Sequence, residues 1–269
     1  MSSSVQIPSA ESLLDNHTDP EPVEIVNAGS KSATLLVCEH AGRAMPAALG
    51  SLGLSDDQLG LHIAYDIGTE ELARDLAQRF ECTLVLQRYS RLVIDCNRPL
   101  TSSQSIPPVS DHVVIPANNG ISQAERDARA AEIFTPFANV CEAEISKPSV
   151  RYAFSIHSFT PRMDGFERPW DIGFLHRHPA SRGHELVARA REAWPGMTIG
   201  DNQPYSIEDE TDWFIPACAE QRNIPHSLVE VRNDHLLTFE GRSEWAGRLY
   251  DLLSRFMEHC DATDPKPAT

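Results

Sequence analysis

The segment RYAFSIHSFTP, residues 151–161, contains a short apolar run that ends at His157 and is followed by Ser-Phe-Thr-Pro. An apolar run that gives way to polar residues and a proline predicts a buried β-strand that stops at the histidine. In α/β proteins, ligands bind just beyond the carboxyl ends of the strands. We therefore expect His157 to face a crevice.

Two more apolar runs end at side chains with metal-binding or catalytic chemistry. Residues 34–40, TLLVCEH, end at His40, and residues 227–230, SLVE, end at Glu230. Two imidazoles, a carboxylate and an open coordination position form a common catalytic zinc shell, beside which a further glutamate can act as a base. We hypothesise that the three run ends meet at one metal ion.

Composition favours a single α/β domain with an acidic surface. The chain has 269 residues, of which 41% are hydrophobic, and 23 Lys and Arg against 39 Asp and Glu give a net charge of −16. Such a charge argues against nucleic acid and anionic membranes as partners. No apolar run of about 20 residues is present, which predicts that no helix spans a membrane.

The cysteine pattern and the first residues bear on localisation. None of the six cysteines forms a CxxC pair, and the first 22 residues lack the basic and apolar parts of a secretory signal. These features predict a reduced, cytoplasmic protein without disulfides. The sequence makes no prediction of oligomeric state.

Strand-like and helix-like patterns alternate along the chain, which predicts a largely parallel α/β sheet. We expect a flexible arm at 1–22, a single α/β hydrolase domain at 23–260 and a flexible tail at 261–269. Residues 99–120 form a long polar loop of a kind that often serves as a lid. The predicted strands are 23–26, 33–39, 82–87, 91–96, 151–157, 171–176 and 226–231, and the predicted helices are 55–64, 69–80, 122–146, 181–193, 209–222 and 240–259.

Three further polar residues are candidates for the same site. Asp66 precedes the predicted helix at 69–80 and is a candidate third ligand, although a carboxylate there is also an ordinary helix N-terminal charge. Asn97 and Arg98 close the predicted strand at 91–96. Arginine binds carboxylates in a bidentate fork, so this pair would hold an acidic substrate, unless it only shapes a turn.

Five segments, in this order, resemble the N-formylglutamate amidohydrolase family. They are CEHAG (38–42), SRLVIDCNRP (90–99), SIHSFTP (155–161), RPWDIGF (168–174) and PHSLVEVRND (225–234), and the similarity extends over about residues 34–235. The family is related to the zinc carboxypeptidase-like exopeptidases. The resemblance implies a three-layer α/β/α fold with a mixed, mostly parallel central sheet, as in zinc exopeptidases and phosphorylase/hydrolase-like proteins.

The resemblance also implies roles for particular residues. IHSF at 156–159 is similar to the IHSY loop of zinc carboxypeptidases, in which the histidine binds zinc, and VEVR at 229–232 is similar to the segment that carries their general base. These similarities imply that zinc, or another divalent metal, is bound by three ligands: His40, Asp66 and His157. Glu230 would then be the general base.

The carboxylate ligand is the point at which the sequence departs from carboxypeptidases. Arg43 stands where those enzymes have a glutamate ligand, so Asp66 takes that role by resemblance to the spacing in zinc N-acetylmuramoyl amidases. Glu39 and Glu70 remain alternatives. His226, on the predicted strand of Glu230, is a candidate supporting residue.

The substrate contacts follow from the same resemblance. Asn97 and Arg98 would bind a substrate carboxylate, and Arg91 or Arg168 would bind a second carboxylate or a developing oxyanion. The expected reaction is metal-dependent hydrolysis of the linear amide of N-formylglutamate, or of another small N-acyl acidic amino acid, in amino-acid catabolism. Its products would be formate and glutamate.

Two alternatives stay open at this stage. One is a zinc amidase or carboxypeptidase that acts on a peptide or a cell-wall fragment, and the other is a non-catalytic relative that binds a metal or an amino acid. A serine hydrolase is disfavoured because the sequence has no GxSxG motif.

Overall fold

The computed structural model describes residues 12–263 and is built around a seven-stranded sheet. In chain order the strands of the molecule are β1 (Val23–Val26), β2 (Thr34–Cys38), β3 (Thr83–Gln87), β4 (Val109–Ser110), β5 (Val113–Val114), β6 (Tyr152–Phe159), β7 (Arg162–Met163), β8 (Phe166–Glu167), β9 (Ile172–Leu175), β10 (Ile199–Asp201) and β11 (His226–Arg232). The central sheet has the order β1-β3-β2-β6-β11-β9-β10, while β4-β5 and β7-β8 are separate hairpins.

The central sheet is mixed but mostly parallel, as predicted. Strands β3, β2, β6 and β11 run parallel to one another, and β9 pairs parallel to β10. The antiparallel pairs are β1 with β3 and β9 with β11. The carboxyl ends of β2, β6 and β11 therefore share one edge of the sheet, and those of β9 and β10 lie at the opposite edge.

Helices cover both faces of the sheet and complete three α/β/α layers. They are α1 (Asp56–Leu59), α2 (Thr69–Phe80), α3 (Gln123–Arg129), α4 (Thr135–Ile145), α5 (Gly183–Ala193) and α6 (Phe239–Thr263). A π-helical turn at Ala130–Phe134 joins α3 to α4. Among residues 12–263, none of these helices combines the length and apolar character that a bilayer crossing requires.

The core is divided by the sheet into two apolar clusters. Because successive strand residues point to opposite faces, the neighbours Leu35 and Leu36 enter different clusters. Residues of α2, α5 and α6 form one cluster, and residues of α4 and of the helical turn Ile215–Ala219 contribute to the other. Burial on both faces explains why β2, β3 and β6 consist of residues without exposed side chains.

The predicted strand at 91–96 is wrong. Residues 91–93 form a turn, and no strand is assigned to the segment. Leu92, Val93 and Ile94 are nevertheless buried, because the segment packs as an irregular layer of the second apolar cluster. A short apolar run indicates that its residues are buried, but it does not determine their backbone conformation.

Two predicted helices are shorter than expected. The helix at 55–64 ends at Leu59, with Gly60 at its C-terminus. The helix at 209–222 begins only at Phe214, because the side-chain oxygen of Asn97 accepts hydrogen bonds from the backbone N–H groups of Trp213 and Phe214. An amide from a distant segment thus caps the first turn.

The boundaries of the domain differ slightly from the predicted ones. Within the predicted arm, Glu132 accepts hydrogen bonds from the hydroxyl of Ser12 and from the backbone of Leu13 and Leu14. Helix α6 continues to Thr263, beyond the predicted domain end at residue 260. The rest of the predicted arm and tail, residues 1–11 and 264–269, lies outside the described residues.

The long segment at 99–120 is tied to the core near its C-terminal end. The side-chain amide of Asn118 donates hydrogen bonds to the backbone oxygens of Leu92 and Pro107. The buried guanidinium of Arg129 donates to Asn118 Oδ1, at 2.7 Å, and to the backbone oxygen of Val93, at 2.9 Å. The hairpin β4-β5 lies between these anchoring contacts.

Candidate active site

The side chains of His40, Asp66 and His157 meet in the interior of the molecule, close to the carboxyl ends of β2 and β6. Nδ1 of His157 lies 2.9 Å from Oδ2 of Asp66. Nδ1 of His40 lies 3.4 Å from the same oxygen but makes no hydrogen bond. One ligand atom from each of the three residues lies within 4.8 Å of the others. The geometry brings together the three predicted ligands.

Backbone contacts hold the loops that carry His40 and Asp66. The N–H of Asp66 donates to the backbone oxygen of His40, at 2.9 Å. The hydroxyl of Thr69, in the first turn of α2, donates to the backbone oxygen of Asp66. Gly68 has a φ of +80°, and a Cβ there would lie 2.5 Å from Cβ of Leu236, so glycine is required at this turn.

Carboxylates orient the far side of each imidazole. Nε2 of His40 lies 2.7 Å from Oδ1 of Asp95, and Nε2 of His157 lies 3.1 Å from Oε2 of Glu39. Such contacts direct the opposite ring nitrogen, here Nδ1, toward the shared centre. Glu39 therefore contacts the side of His157 that faces away from Asp66. Glu70 accepts a hydrogen bond from Arg74 on α2.

The centre is strongly anionic apart from its imidazoles. Burial alone would raise the pKa of Asp66, but His40 and His157 outweigh this effect and hold the pKa below its usual range. Burial alone would lower the pKa of His157, but Glu39 and Asp66 raise it well above the usual value. An environment that favours a proton on an imidazole also favours a metal cation at that nitrogen.

Glu230 faces this centre from the neighbouring strand. It pairs in register with His157 across β11 and β6, so both side chains project from the same face of the sheet. Glu230 is 6% exposed, and its Oε2 has no hydrogen-bond partner among residues 12–263. Burial raises the pKa of Glu230 to about 8, against the opposing effect of His157.

His157 itself lies inside a strand and not at its end. Strand β6 continues to Phe159, two residues beyond the predicted stop. The added residues pair with β11 up to Arg232. In the same stretch, the backbone N–H of Ser158 donates to Oδ2 of Asp66, at 3.3 Å. The strand extension thus helps to fix Asp66.

Arg91 lies beside the centre, where it binds two carboxylates of the protein. Its guanidinium donates to Oδ1 of Asp66, at 3.1 Å, and to Oδ2 of Asp95, at 2.7 Å. Asp66 can therefore present its other oxygen to the histidines. All three guanidinium nitrogens of Arg91 are used within the protein, because Nε also donates to Asp95.

Asn97 and Arg98 both line the cleft but differ in their freedom. The amide of Asn97 is occupied by Asp212 and by the helical turn that it caps. Arg98 makes no side-chain hydrogen bond within residues 12–263, and its nearest ionic neighbour is Asp95, at 3.9 Å. Arg98 is therefore the guanidinium with donors available to a ligand.

Arg168 is placed differently from the other predicted substrate contacts. Its guanidinium lies 4.9 Å from the ring centre of Tyr205 and 5.9 Å from that of Phe159, and it donates to the backbone oxygen of Thr160. It braces the wall of the cleft from behind, whereas the ring of Tyr205 lines the cleft.

The cleft above the centre has a volume of about 680 Å³ and is lined by polar and apolar side chains in similar measure. Its walls come from the predicted lid segment, from hairpin β7-β8 and from residues 202–206. At the mouth, His62 lies 3.3 Å from Asp111 of the segment at 99–120. A cleft of this size suits a small molecule rather than a bulky polymer.

Sequence reasoning missed Asp95 and Tyr205 and misplaced His226. Asp95 stands inside an apolar run, and a carboxylate in such a run was the available signal. Tyr205 follows no recognisable motif. His226 lies at the amino end of β11, and its Nδ1 donates to the backbone oxygen of Ile224. It is remote from the carboxyl-end edge that holds Glu230.

Comparisons with known proteins agree with this fold. The crystal structure of gene product Atu2144 from Agrobacterium tumefaciens is similar with a TM-score of 0.86 and 33% sequence identity, over 93% of this chain and 99% of that chain. N-formylglutamate amidohydrolase from Ralstonia eutropha JMP134 is similar in fold, with a TM-score of 0.63 and 16% identity, over 89% of this chain and 98% of that chain.

Family assignment rests on the sequence itself. Among proteins with curated descriptions, no match was found. The family model described as N-formylglutamate amidohydrolase matches residues 32–237, which include every residue of the site described above. The chain therefore belongs to the N-formylglutamate amidohydrolase family.

Proposed function

We propose that this amidohydrolase is metal-dependent and removes the N-formyl or N-acyl group from a small acidic amino acid such as N-formylglutamate. Formate and glutamate would be the products in that case. The observation that carries the proposal is the convergence of His40, His157 and Asp66 opposite the unpartnered carboxylate of Glu230.

The donor set fits zinc, and other divalent metals accept the same atoms. Two imidazole nitrogens and one carboxylate oxygen with room for a further ligand form the shell of many catalytic zinc sites. Nδ1 of His40 is buried without a hydrogen-bond partner among residues 12–263, which is costly unless a ligand engages it. When bound, the cation would polarise the acyl oxygen and lower the pKa of a water ligand.

Glu230 is proposed as the proton carrier. Its Oε2 is free to accept a proton from the attacking water and is held on a rigid strand beside His157. The same carboxyl group would then give the proton to the departing amine nitrogen. Burial destabilises the charged form of Glu230 and raises its pKa, so the carboxylate is a stronger base than one at the surface.

Arg98 is proposed to bind a carboxylate of the substrate. Its free donors and its position on the cleft wall suit a bidentate contact, and Asn97 fixes the loop that carries it. This contact would set the distance between the scissile amide and Glu230.

The other two arginines would act on the shape and charge of the site. Arg91 holds Asp66 and Asp95 and contributes positive charge near a developing oxyanion. Arg168 supports Tyr205, against which the carbon chain of a substrate would rest. A direct contact between Arg168 and a second carboxylate would require movement of Tyr205.

The decisive experiment measures formate release from N-formylglutamate by chelator-treated protein before and after addition of Zn²⁺. We expect release to depend on the metal and to fall sharply in Glu230→Gln. The matched control is Glu240→Gln, because Glu240 is exposed on the first turn of α6. Absence of release with every divalent metal, in protein that is folded and metal-loaded, would overturn the proposal.

A substrate panel separates the remaining candidates. N-acetylglutamate, N-formylaspartate, a glutamyl dipeptide and a muropeptide fragment are compared with N-formylglutamate. Preference for the dipeptide or the muropeptide would indicate a peptidase or wall amidase. Zinc binding without turnover of any compound would indicate a non-catalytic relative.

A further inference from the structure

A second group of metal-binding side chains lies outside the lining of the cleft. His176 directly follows β9, Asp201 is the last residue of β10, and His184 stands in the first turn of α5. Strands β9 and β10 run antiparallel to β11, so their carboxyl ends lie at the edge of the sheet opposite Glu230. The group is therefore separate from the candidate active site.

The two imidazoles approach different oxygens of one carboxylate. Nε2 of His176 lies 2.8 Å from Oδ1 of Asp201, and Nδ1 of His184 lies 3.6 Å from Oδ2. One ligand atom from each residue lies within 4.8 Å of the other two. Ligands held about 2.0–2.1 Å from a tetrahedral zinc ion are roughly 3.3 Å apart, so small side-chain adjustments would suffice.

The backbone brings His184 against His176. A Cβ on Gly183 would lie 2.0 Å from Cγ of His176, so only glycine permits this approach. The two rings meet edge to face with centroids 4.5 Å apart. The N–H of His176 donates to Oδ1 of Asn202, at 2.8 Å, which fixes the strand end.

An ordinary ion pair does not account for the second histidine. His176 alone already satisfies Oδ1 of Asp201 with a hydrogen bond. His184 is oriented toward Oδ2 at a distance too long for a hydrogen bond, although its side chain is 83% exposed and free to turn into solvent. A shared cation would explain why both rings face one carboxylate.

We propose that His176, His184 and Asp201 form a second site for a zinc-like divalent cation. Two imidazole nitrogens and a carboxylate oxygen suit Zn²⁺, and the exposure of His184 leaves room for water to complete the shell. The ion would connect the start of α5 to the ends of β9 and β10. Its role would be structural, because none of the three residues lines the cleft and β9 ends at the edge of the sheet opposite Glu230.

The test counts metal ions in the full-length chain. Chelator-treated protein is equilibrated with Zn²⁺, separated from free metal by gel filtration and analysed by elemental mass spectrometry. We expect His184→Gln and Asp201→Asn each to bind one zinc ion fewer than the wild type. His17→Gln, which changes another exposed histidine, should bind as much zinc as the wild type.

Two further measurements complete the experiment. Zinc should raise the melting temperature of the wild type more than that of His184→Gln, and His184→Gln should retain the formate-releasing activity of the wild type. The test compares the zinc content of each variant with that of the wild type and looks for a difference of one ion. The comparison is therefore valid even if the candidate active site binds no metal. Equal zinc content in the wild type, His184→Gln and Asp201→Asn would overturn the proposal.

Discussion

Glu230 and His157 occupy paired positions on adjacent parallel strands, β11 and β6. Their backbones are joined by the sheet, so the separation of carboxylate and imidazole is set by regular strand spacing and not by a loop. His40 and Asp66 reach the same place from loops that are hydrogen bonded to each other. A rigid pair and a braced pair thus define one centre.

Replacement of Glu230 by Gln should abolish proton transfer and preserve the fold. The amide has nearly the same shape but cannot accept the proton of water. We expect kcat for N-formylglutamate to fall by about 10²–10⁴-fold, the usual contribution of general acid–base catalysis. Zinc content should stay that of the wild type. Activity within a few fold of the wild type would contradict the role of Glu230.

Replacement of Asp95 by Asn should weaken metal binding. Asp95 orients the ring of His40 and holds Arg91, and such supporting carboxylates typically contribute about 10–100-fold to metal affinity. Competition with a zinc-binding dye measures the change. Asp251→Asn is the control, because Asp251 is exposed on α6. Unchanged affinity in Asp95→Asn would show that this carboxylate is dispensable.

Replacement of Arg98 by Ala should raise KM for acidic substrates. Loss of a charge-assisted contact costs about 1.5–3 kcal/mol, which corresponds to roughly 10–100-fold in kcat/KM. The effect should disappear for an N-formyl amine without a carboxylate. Arg162→Ala, on the exposed hairpin β7-β8, is the control. An equal loss with both classes of substrate would rule out carboxylate recognition by Arg98.

The stability of the protein should depend on pH through His226. Burial lowers the pKa of His226 below the usual value of 6.5, and its Nε2 is buried without a partner among residues 12–263. The unfolded chain therefore binds a proton more readily than the folded one. Stability from this residue is fully present above pH 6.5 and is lost as the pH falls toward the folded-state pKa.

Urea unfolding at pH 7.5 and pH 5.5 tests the contribution of His226. The free energy of unfolding of the wild type should decrease more between these pH values than that of His226→Asn, in which the amide can still donate to Ile224. The difference between the two proteins isolates His226 from other titrating groups. Parallel pH profiles would refute the prediction.

Replacement of Arg129 by Met should destabilise the protein. The change leaves the backbone oxygen of Val93 and Oδ1 of Asn118 without their buried donor. A buried polar group without a partner costs about 1–3 kcal/mol. Thermal unfolding measures this loss, with Arg126→Met as the control, because Arg126 lies on the same helix and is only partly buried. Equal melting temperatures for the two variants would argue against the anchoring role.

Sequence patterns were sufficient to predict that His40, His157 and Glu230 lie at one edge of the sheet. Because the carboxyl ends of parallel strands lie together, three apolar runs ending at His40, His157 and Glu230 predict one site. The hydrophobic pattern could not reveal the irregular path of residues 91–96, and with it the position of Asp95. The orientation of Arg91 and Arg168 also depends on partners far away in the chain, which no local pattern encodes.

The anchoring of Asn118 by Arg129 divides the segment at 99–120 into an inner and an outer part. The inner part shares buried hydrogen bonds with the core, whereas the outer hairpin, residues 109–114, makes mainly exposed contacts at the mouth of the cleft. Grafting a different hairpin onto these residues would therefore cost little folding free energy. Directed evolution of substrate preference has its natural starting point there.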